Sequence, residues 1–307
     1  MGKRTLKDIG EFGFIRHLKK TLKAGAGVRV GVGDDAAVLR VNAGKELLLT
    51  SDMILEGRHF RLRDARAFEI GWKAMAVNVS DIAAMGGLPT FAVVSVGLPA
   101  NLTLNFVNEL NRGLRAAASR FGARIVGGDT NRSEKIVLSV ALLGEAGRGR
   151  AVTRSGARVG DVVFVTGSLG GSTTAKKHLR FVPRIKESQF LVKNFKIHAM
   201  IDISDGLVSD LRRVAEESGV GFTISGEAIP VSRSAKSLRQ ALTEGEDFEL
   251  LFTLSPKEAA RLGALSPKGL ASFHPIGRVV AKRLGLRLMR ADGKSAPLPG
   301  KGFDHFK

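Results

Sequence analysis

Apolar residues fall along this chain in two rhythms. Short runs rich in Val, Ile, Leu and Phe at 28–32, 47–50, 91–96 and 136–143 have the length and composition of strands. Between them, apolar positions recur at helical spacing over about 68–85 and 104–121. The first helical pattern ends at Gly86-Gly87-Leu88-Pro89 and the second at Gly122, both stop signals. A basic amphipathic helix is predicted ahead of them, over 14–23. Strands alternating with helices make this half α/β or α+β. After a Gly- and Arg-rich passage at 144–160 the pattern starts again. It gives a strand at 162–166, a Gly-rich turn, helical stretches, the segment 202–206, a helix over 209–218, and strands near Phe222, at 249–253 and at 275–280. The expected architecture is α/β (α+β) with two mixed domains, 1–148 and 149–307.

Composition supports this and narrows the function. A chain of 307 residues that is 44% hydrophobic can bury a core in each of two domains. With no cysteine there is no disulfide framework, thiolate metal site or cysteine nucleophile. No apolar run approaches membrane-spanning length and the first residues lack a secretory signal, so a soluble, cytoplasmic protein with no membrane partner is expected. The net charge of +19 suits either a nucleic-acid binder or an enzyme with anionic substrates. Lys and Arg are spread along the whole chain, and no stacking platform accompanies them, so no specific nucleic-acid partner is expected.

Against this basic background stand seven acidic segments: Asp34-Asp35, Thr50-Ser51-Asp52, Asn78-Val79-Ser80-Asp81, Gly127-Gly128-Asp129-Thr130, Asp202-Ile203-Ser204-Asp205-Gly206, Gly245-Glu246-Asp247 and Gly302-Phe303-Asp304. Most are flanked by Gly, Ala, Val or Ile, so their counter-charge must come from elsewhere, and oxygen ligands without His or Cys suit Mg²⁺ and phosphate chemistry. Taken singly, each carboxylate also reads as a turn former or cap. Asp81 is harder to read so, because it lies in an Ala-rich helix with Asn78 one turn earlier, where an unpaired carboxylate is costly. A Walker A motif is absent. Gly31-Val32-Gly33-Asp34-Asp35-Ala36 fits a dinucleotide fingerprint poorly, since a strand follows where a helix belongs. Gly127-Gly128, read as following a short strand at 124–126, and the Gly167–Gly171 turn both offer backbone N–H groups to an anion. Arg154 is a candidate phosphate contact.

The strings GVGDDAAVL, TSDMILEGRHF, GWKAMAVNVSDIAAMGGLP, VGGDTNRS, RSGARVGD, MIDISDGL, GEDFELLFT and GFDHF, in this order over almost the whole chain, resemble the thiamine-monophosphate kinase family. The wider superfamily includes aminoimidazole ribonucleotide and selenophosphate synthetases and a hydrogenase maturation factor. The last two need cysteine or selenocysteine, which this chain lacks. The resemblance implies ATP- and Mg²⁺-dependent phosphorylation of thiamine monophosphate to thiamine diphosphate by direct in-line transfer. The acceptor is already an anionic oxygen, so the task is positioning and charge neutralisation and needs no protein base. The rival readings are a superfamily enzyme with another substrate and a basic nucleic-acid scaffold without activity.

Carried over by motif, the metal ligands fall on Asp35, Thr50, Ser51, Asp52, Asp81, Asp129, Asp202 and Asp205, with Asp34 beside them. Asp52, Asp81 and Asp205 are the expected catalytic carboxylates. Gly128, Asp129, Arg154 and Ser204 match ATP-contacting positions, and His59, Glu246 and Phe303 match positions at the thiamine phosphate. A carboxylate and an aromatic face suit a cationic thiazolium ring. Phe303 stands where Tyr or Trp is often found, which keeps stacking and loses a hydrogen bond. The family fold further implies a homodimer whose N-terminal domains share an intersubunit barrel.

Overall fold

The branched-residue runs resolve into two sheets. The computed structural model describes residues 28–298, apart from 31–33, 36, 43 and 266. The predicted helix at 14–23 and the segment containing Phe303 lie outside the described residues. Six strands form the first sheet: β1 (Val28–Val30), β2 (Ala37–Asn42), β3 (Lys45–Leu55), β4 (Leu88–Leu98), β5 (Arg124–Arg132) and β6 (Val137–Gly147). Their order is β1-β2-β3-β6-β4-β5, antiparallel except for the parallel β4–β5 pair. Two helices, α1 (Ala67–Ala84) and α2 (Leu104–Phe121), pack on one face through Ile70, Met75, Ile82, Leu110 and Leu114 against Leu48, Val94, Leu138 and Leu142.

Glycine sets how closely these two helices meet. A Cβ on Gly71 would lie 1.9 Å from the Leu110 carbonyl oxygen, and one on Gly113 would lie 2.0 Å from that of Phe68. Helix α2 starts and stops as its sequence dictates. Thr103 Oγ1 accepts the Phe106 N–H at 3.2 Å, and Gly122 closes the helix at φ 84°. Two strands run further than their composition suggested. β6 continues to Gly147, into the passage expected to separate the domains. β5 continues through Gly127-Gly128-Asp129 to Arg132, so these residues belong to an edge strand and not to a loop after a short one.

The opposite face of this sheet is apolar yet open among the described residues. Leu49, Leu143 and Phe91 form one cross-strand row, and Ser51, Ala141 and Val93 the next. Leu49, Phe91, Val93 and the nearby Met53 are 40%, 46%, 43% and 59% exposed.

The second sheet has seven strands, β7 (Val162–Thr166), β8 (Ile197–Asp202), β9 (Val220–Ser225), β10 (Leu250–Leu254), β11 (Phe273–Ala281), β12 (Leu286–Met289) and β13 (Ser295–Pro297), in the order β13-β12-β9-β11-β7-β10-β8. Its helices are α3 (Lys177–Arg180), α4 (Ile185–Asn194), α5 (Leu207–Ser218), α6 (Leu238–Thr243) and α7 (Pro256–Gly263). Alternate side chains of the strands fill two cores. Val163, Val165, Ile201 and Ile224 meet Leu207 and Leu211 of α5 and Ala241 of α6. Phe164, Met200 and Phe252 meet Leu191 of α4, Leu262 of α7 and Ala84 at the end of α1. Helix α1 thus belongs to both halves. Among the described residues no helix is long and apolar enough to cross a membrane.

Candidate functional site

Three carboxylates from three separate segments converge where α1 crosses between the sheets. Asp35 comes from the stretch before β2, Asp81 from α1 and Asp202 from the end of β8, and one oxygen of each lies within 4.8 Å of the others. Each is held from behind. Thr50 Oγ1, on the buried face of β3, donates to Asp81 Oδ2 at 2.5 Å. Ser80 Oγ donates to Asp202 Oδ2 at 2.6 Å. The Arg154 guanidinium pairs with Asp35, and its backbone N–H donates to Asp34 Oδ1 at 2.8 Å. Asn78 Oδ1 accepts the Asp52 N–H at 3.0 Å, which ties β3 to α1 beside the cluster.

So many carboxylates in so little water disfavour one another's ionised forms. Burial, then the charges of Asp52, Asp202 and Asp35, push Asp81 well above the usual carboxylate range. Burial and Asp35 do the same to Asp202. Asp34 is pushed up to about 7 by burial and Asp35. Burial works against the Arg154 charge, but Asp35 and Asp34 outweigh it and raise that pKa. Asp35 Oδ2 is buried without a hydrogen-bond partner among the described residues. An orphaned carboxylate oxygen, aimed into a cluster of oxygen donors with excess negative charge, fits a hard divalent cation such as Mg²⁺.

The other expected ligands lie around this centre in different ways. Asp52 is near enough for its charge to act on Asp81. The Ser51 side chain is exposed, on the sheet face away from Thr50. Asp205 lies three residues beyond Asp202 and shares Arg213 with Asp210: the guanidinium pairs with Asp205 and donates to Asp210 Oδ1 at 2.7 Å. Asp129 is exposed on β5, where Asn131 Nδ2 donates to it at 2.6 Å, so this structure does not bring it into the triad. Gly128 beside it is needed for chain approach, since a Cβ there would lie 1.9 Å from the Val94 carbonyl oxygen. The Ser204 carbonyl accepts the Glu246 N–H at 2.7 Å.

His59 and Glu246, distant in sequence, are brought together by a residue not singled out from the sequence. Lys73 on α1 is fully buried, and its ammonium donates to the His59 carbonyl at 2.8 Å and to Glu246 Oε1 at 2.5 Å. Burial depresses the Lys73 pKa and Glu246 opposes that shift. His59 Nδ1 accepts the Leu55 N–H at 3.0 Å, which leaves its proton on Nε2.

The Gly167–Gly171 turn does cradle anions, but they are side chains of this chain. Gly170 N–H donates to Asp247 at 2.8 Å, and the N–H groups of Gly171 and Thr173 donate to Glu244 at 2.9 and 3.1 Å. Behind the turn, Arg184 grips Glu249 with two bonds of 2.6 and 2.7 Å, joined by Lys177 and Thr166. Asp210, Arg213, Ser80 and Lys73 bond the candidate residues Asp205, Asp202 and Glu246 and were not singled out from the sequence. Of these only Ser80 carried a visible signal, as a polar residue beside Asp81 in an apolar helix.

Family models of the AIR synthase related proteins match the chain in two parts, the N-terminal domain at residues 33–146 and the C-terminal domain at 158–288. The thiamine-monophosphate kinase of Aquifex aeolicus is 40% identical over 281 residues, covering 82% of this chain and 88% of its own length. That of Bacillus subtilis is 34% identical over 330 residues, covering 97% and 100%. Among solved structures, AaThiL complexed with AMPPCP and TMP aligns with a TM-score of 0.86 at 36% identity, covering 99% of this chain and all, 100%, of that one. A chain of a HypE–HypF complex aligns with a TM-score of 0.75 at 20% identity and shares the fold alone.

Proposed function

From the premise that the chain belongs to the thiamine-monophosphate kinase family of AIR synthase related proteins, we infer that it transfers the γ-phosphoryl group of ATP to the phosphate of thiamine monophosphate, giving thiamine diphosphate and ADP. The observation that carries this reading is the convergence of Asp35, Asp81 and Asp202 on one point, in a family with a solved member complexed with AMPPCP, an ATP analogue. These three, with Asp52 beside them and Asp205 on the next turn of chain, would hold Mg²⁺. When bound, Mg²⁺ supplies the positive charge that lets two phosphate groups approach and that stabilises charge in the transition state.

The chain's own residues do the rest. Thr50, Ser80 and Arg154 fix the carboxylates, and Asn78 the Asp52 backbone, before substrate arrives, so reorganisation during transfer is small. Arg154 and Ser204, with Gly128 and Asp129 on the β5 edge, are proposed for ATP. His59 and Glu246, with Phe303, are proposed for thiamine monophosphate. The acceptor oxygen is anionic at neutral pH, and no side chain need remove a proton from it.

A cytoplasmic homodimer is part of the same proposal. The pairing of ATP with Mg²⁺ supports the location. The open rows of Leu49, Phe91, Val93 and Met53 support the dimer, because an apolar sheet face of this kind marks a protein interface, and sharing it with a second copy would complete a barrel.

The direct test is incubation of purified protein with ATP, Mg²⁺ and thiamine monophosphate, followed by chromatography. Thiamine diphosphate is the expected product. Its absence under varied metal and salt refutes the assignment.

A further inference from the structure

An ammonium group wholly removed from water is costly unless its partners are well placed, and a helix facing a domain boundary would ordinarily fill such a position with an apolar residue. Lys73 is buried completely, and two of its three donors go to the two described residues assigned above to thiamine monophosphate. One of these, His59, belongs to the segment after β3. The other, Glu246, belongs to the second half of the chain.

Glu246 needs such an anchor. It adopts φ +67° without being glycine, and two residues later Phe248 does so at φ +51°. This loop is pinned from several sides. The Glu246 N–H donates to the Ser204 carbonyl at 2.7 Å, its carbonyl accepts Ser172 Oγ at 2.6 Å, and Phe248 stacks on Phe181 with ring centroids 3.9 Å apart. These contacts fix the backbone, and the Lys73 bond fixes the carboxylate. The Glu246 side chain remains 25% exposed, so it is held by one oxygen and still open to a ligand.

We propose that Lys73 is the positioning residue for the thiamine end of the substrate, holding the His59 segment and the Glu246 carboxylate in one fixed relation across the two halves of the protein. This rests on the assignment of His59 and Glu246 to thiamine monophosphate. Lys73 touches no reacting atom, and the metal cluster is served by other residues of α1, so its loss acts on binding of one substrate only.

The test is a double-mutant cycle of Lys73→Met and Glu246→Gln, with KM measured separately for thiamine monophosphate and for ATP and with melting temperature as a control. Loss of a buried hydrogen bond between charged groups predicts a rise in KM for thiamine monophosphate of about tenfold or more in Lys73→Met, with KM for ATP and kcat little changed. The two substitutions should be non-additive, the double variant losing less than the two single effects combined, because part of the Lys73 effect passes through that carboxylate and the rest through the His59 carbonyl. A KM for thiamine monophosphate that stays at the wild-type value, or that rises in step with the ATP value, overturns the proposal. Should Lys73→Met alone fail to fold, the comparison passes to Glu246→Gln against the double variant, in which both charges are gone. A further rise in KM for thiamine monophosphate with the ATP value unchanged upholds the proposal there, through the His59 segment, and equal KM values or a parallel rise in both refute it. A wild-type protein that forms no thiamine diphosphate would instead refute the function, so the two failures are distinct.

Discussion

At the scale of single residues, the cluster around Asp81 makes stability and function oppose each other. Asp81→Asn keeps the shape and the bond to Thr50 while removing a charge that Asp52, Asp202 and Asp35 repel. Its metal-free melting temperature should rise above wild type, the stabilisation conferred by Mg²⁺ should shrink, and phosphoryl transfer should fall about 10²- to 10³-fold, the range for removing one preorganised electrostatic group. A variant with normal turnover at limiting Mg²⁺ would remove Asp81 from the ligand set. The same crowding fixes a pH dependence. Burial raises Asp34 and Asp210 in the folded protein to about 7, whereas unfolded they titrate near 3.8. Between those values the folded state binds more protons than the unfolded one. Metal-free stability should therefore fall as pH rises across that interval, and added Mg²⁺ should flatten the slope in pH-dependent thermal melts. Asp81 was legible in the sequence because a carboxylate in an Ala-rich helix demands a partner. Lys73 stands in the same helix and was not, because a long cation ordinarily reaches solvent from an apolar stem and this chain has 48 Lys and Arg residues to hide one among. Arg213 was hidden in the same way.

At the scale of elements, the seat of α1 on α2 controls the site, because α1 carries Lys73, Asn78, Ser80 and Asp81. Gly71→Ala would gain helix propensity but place a methyl 1.9 Å from the Leu110 carbonyl oxygen, a backbone atom that cannot rotate aside. The expected outcome is a loss of about 1–3 kcal/mol, read as a lower urea midpoint, with weakened Mg²⁺ binding. An unchanged midpoint would show that the helices can part without cost. Both of these helices were readable in the sequence from periodicity, Thr103 and the Gly122 stop. β5 was read too short, because Gly-Gly-Asp has the chemistry of a turn. The structure keeps it extended, since Gly128 lets the strand lie close on β4, and among the described residues β5 is the edge of the sheet.

At the scale of the whole molecule, the open sheet face is the surface on which the proposed dimer rests. Sedimentation velocity should give a dimer for the wild type, and Phe91→Glu, which sets a charge in the row of Leu49 and Leu143, should give a monomer. A wild-type monomer would leave the exposed rows without the partner proposed for them. The two-sheet architecture followed from the alternation of strand and helix patterns. The dependence of both halves on one helix did not, because it arises from long-range contacts such as Ala84 with the second core. That dependence has a metric consequence. Lys73 and Asp81 are eight residues apart on α1, which is about 12 Å along a rigid axis. On the proposed assignments the helix is therefore a gauge: one mark would stand at the cationic ring and the other at the transferred phosphoryl group, and only a substrate whose two ends match that interval would engage both at once.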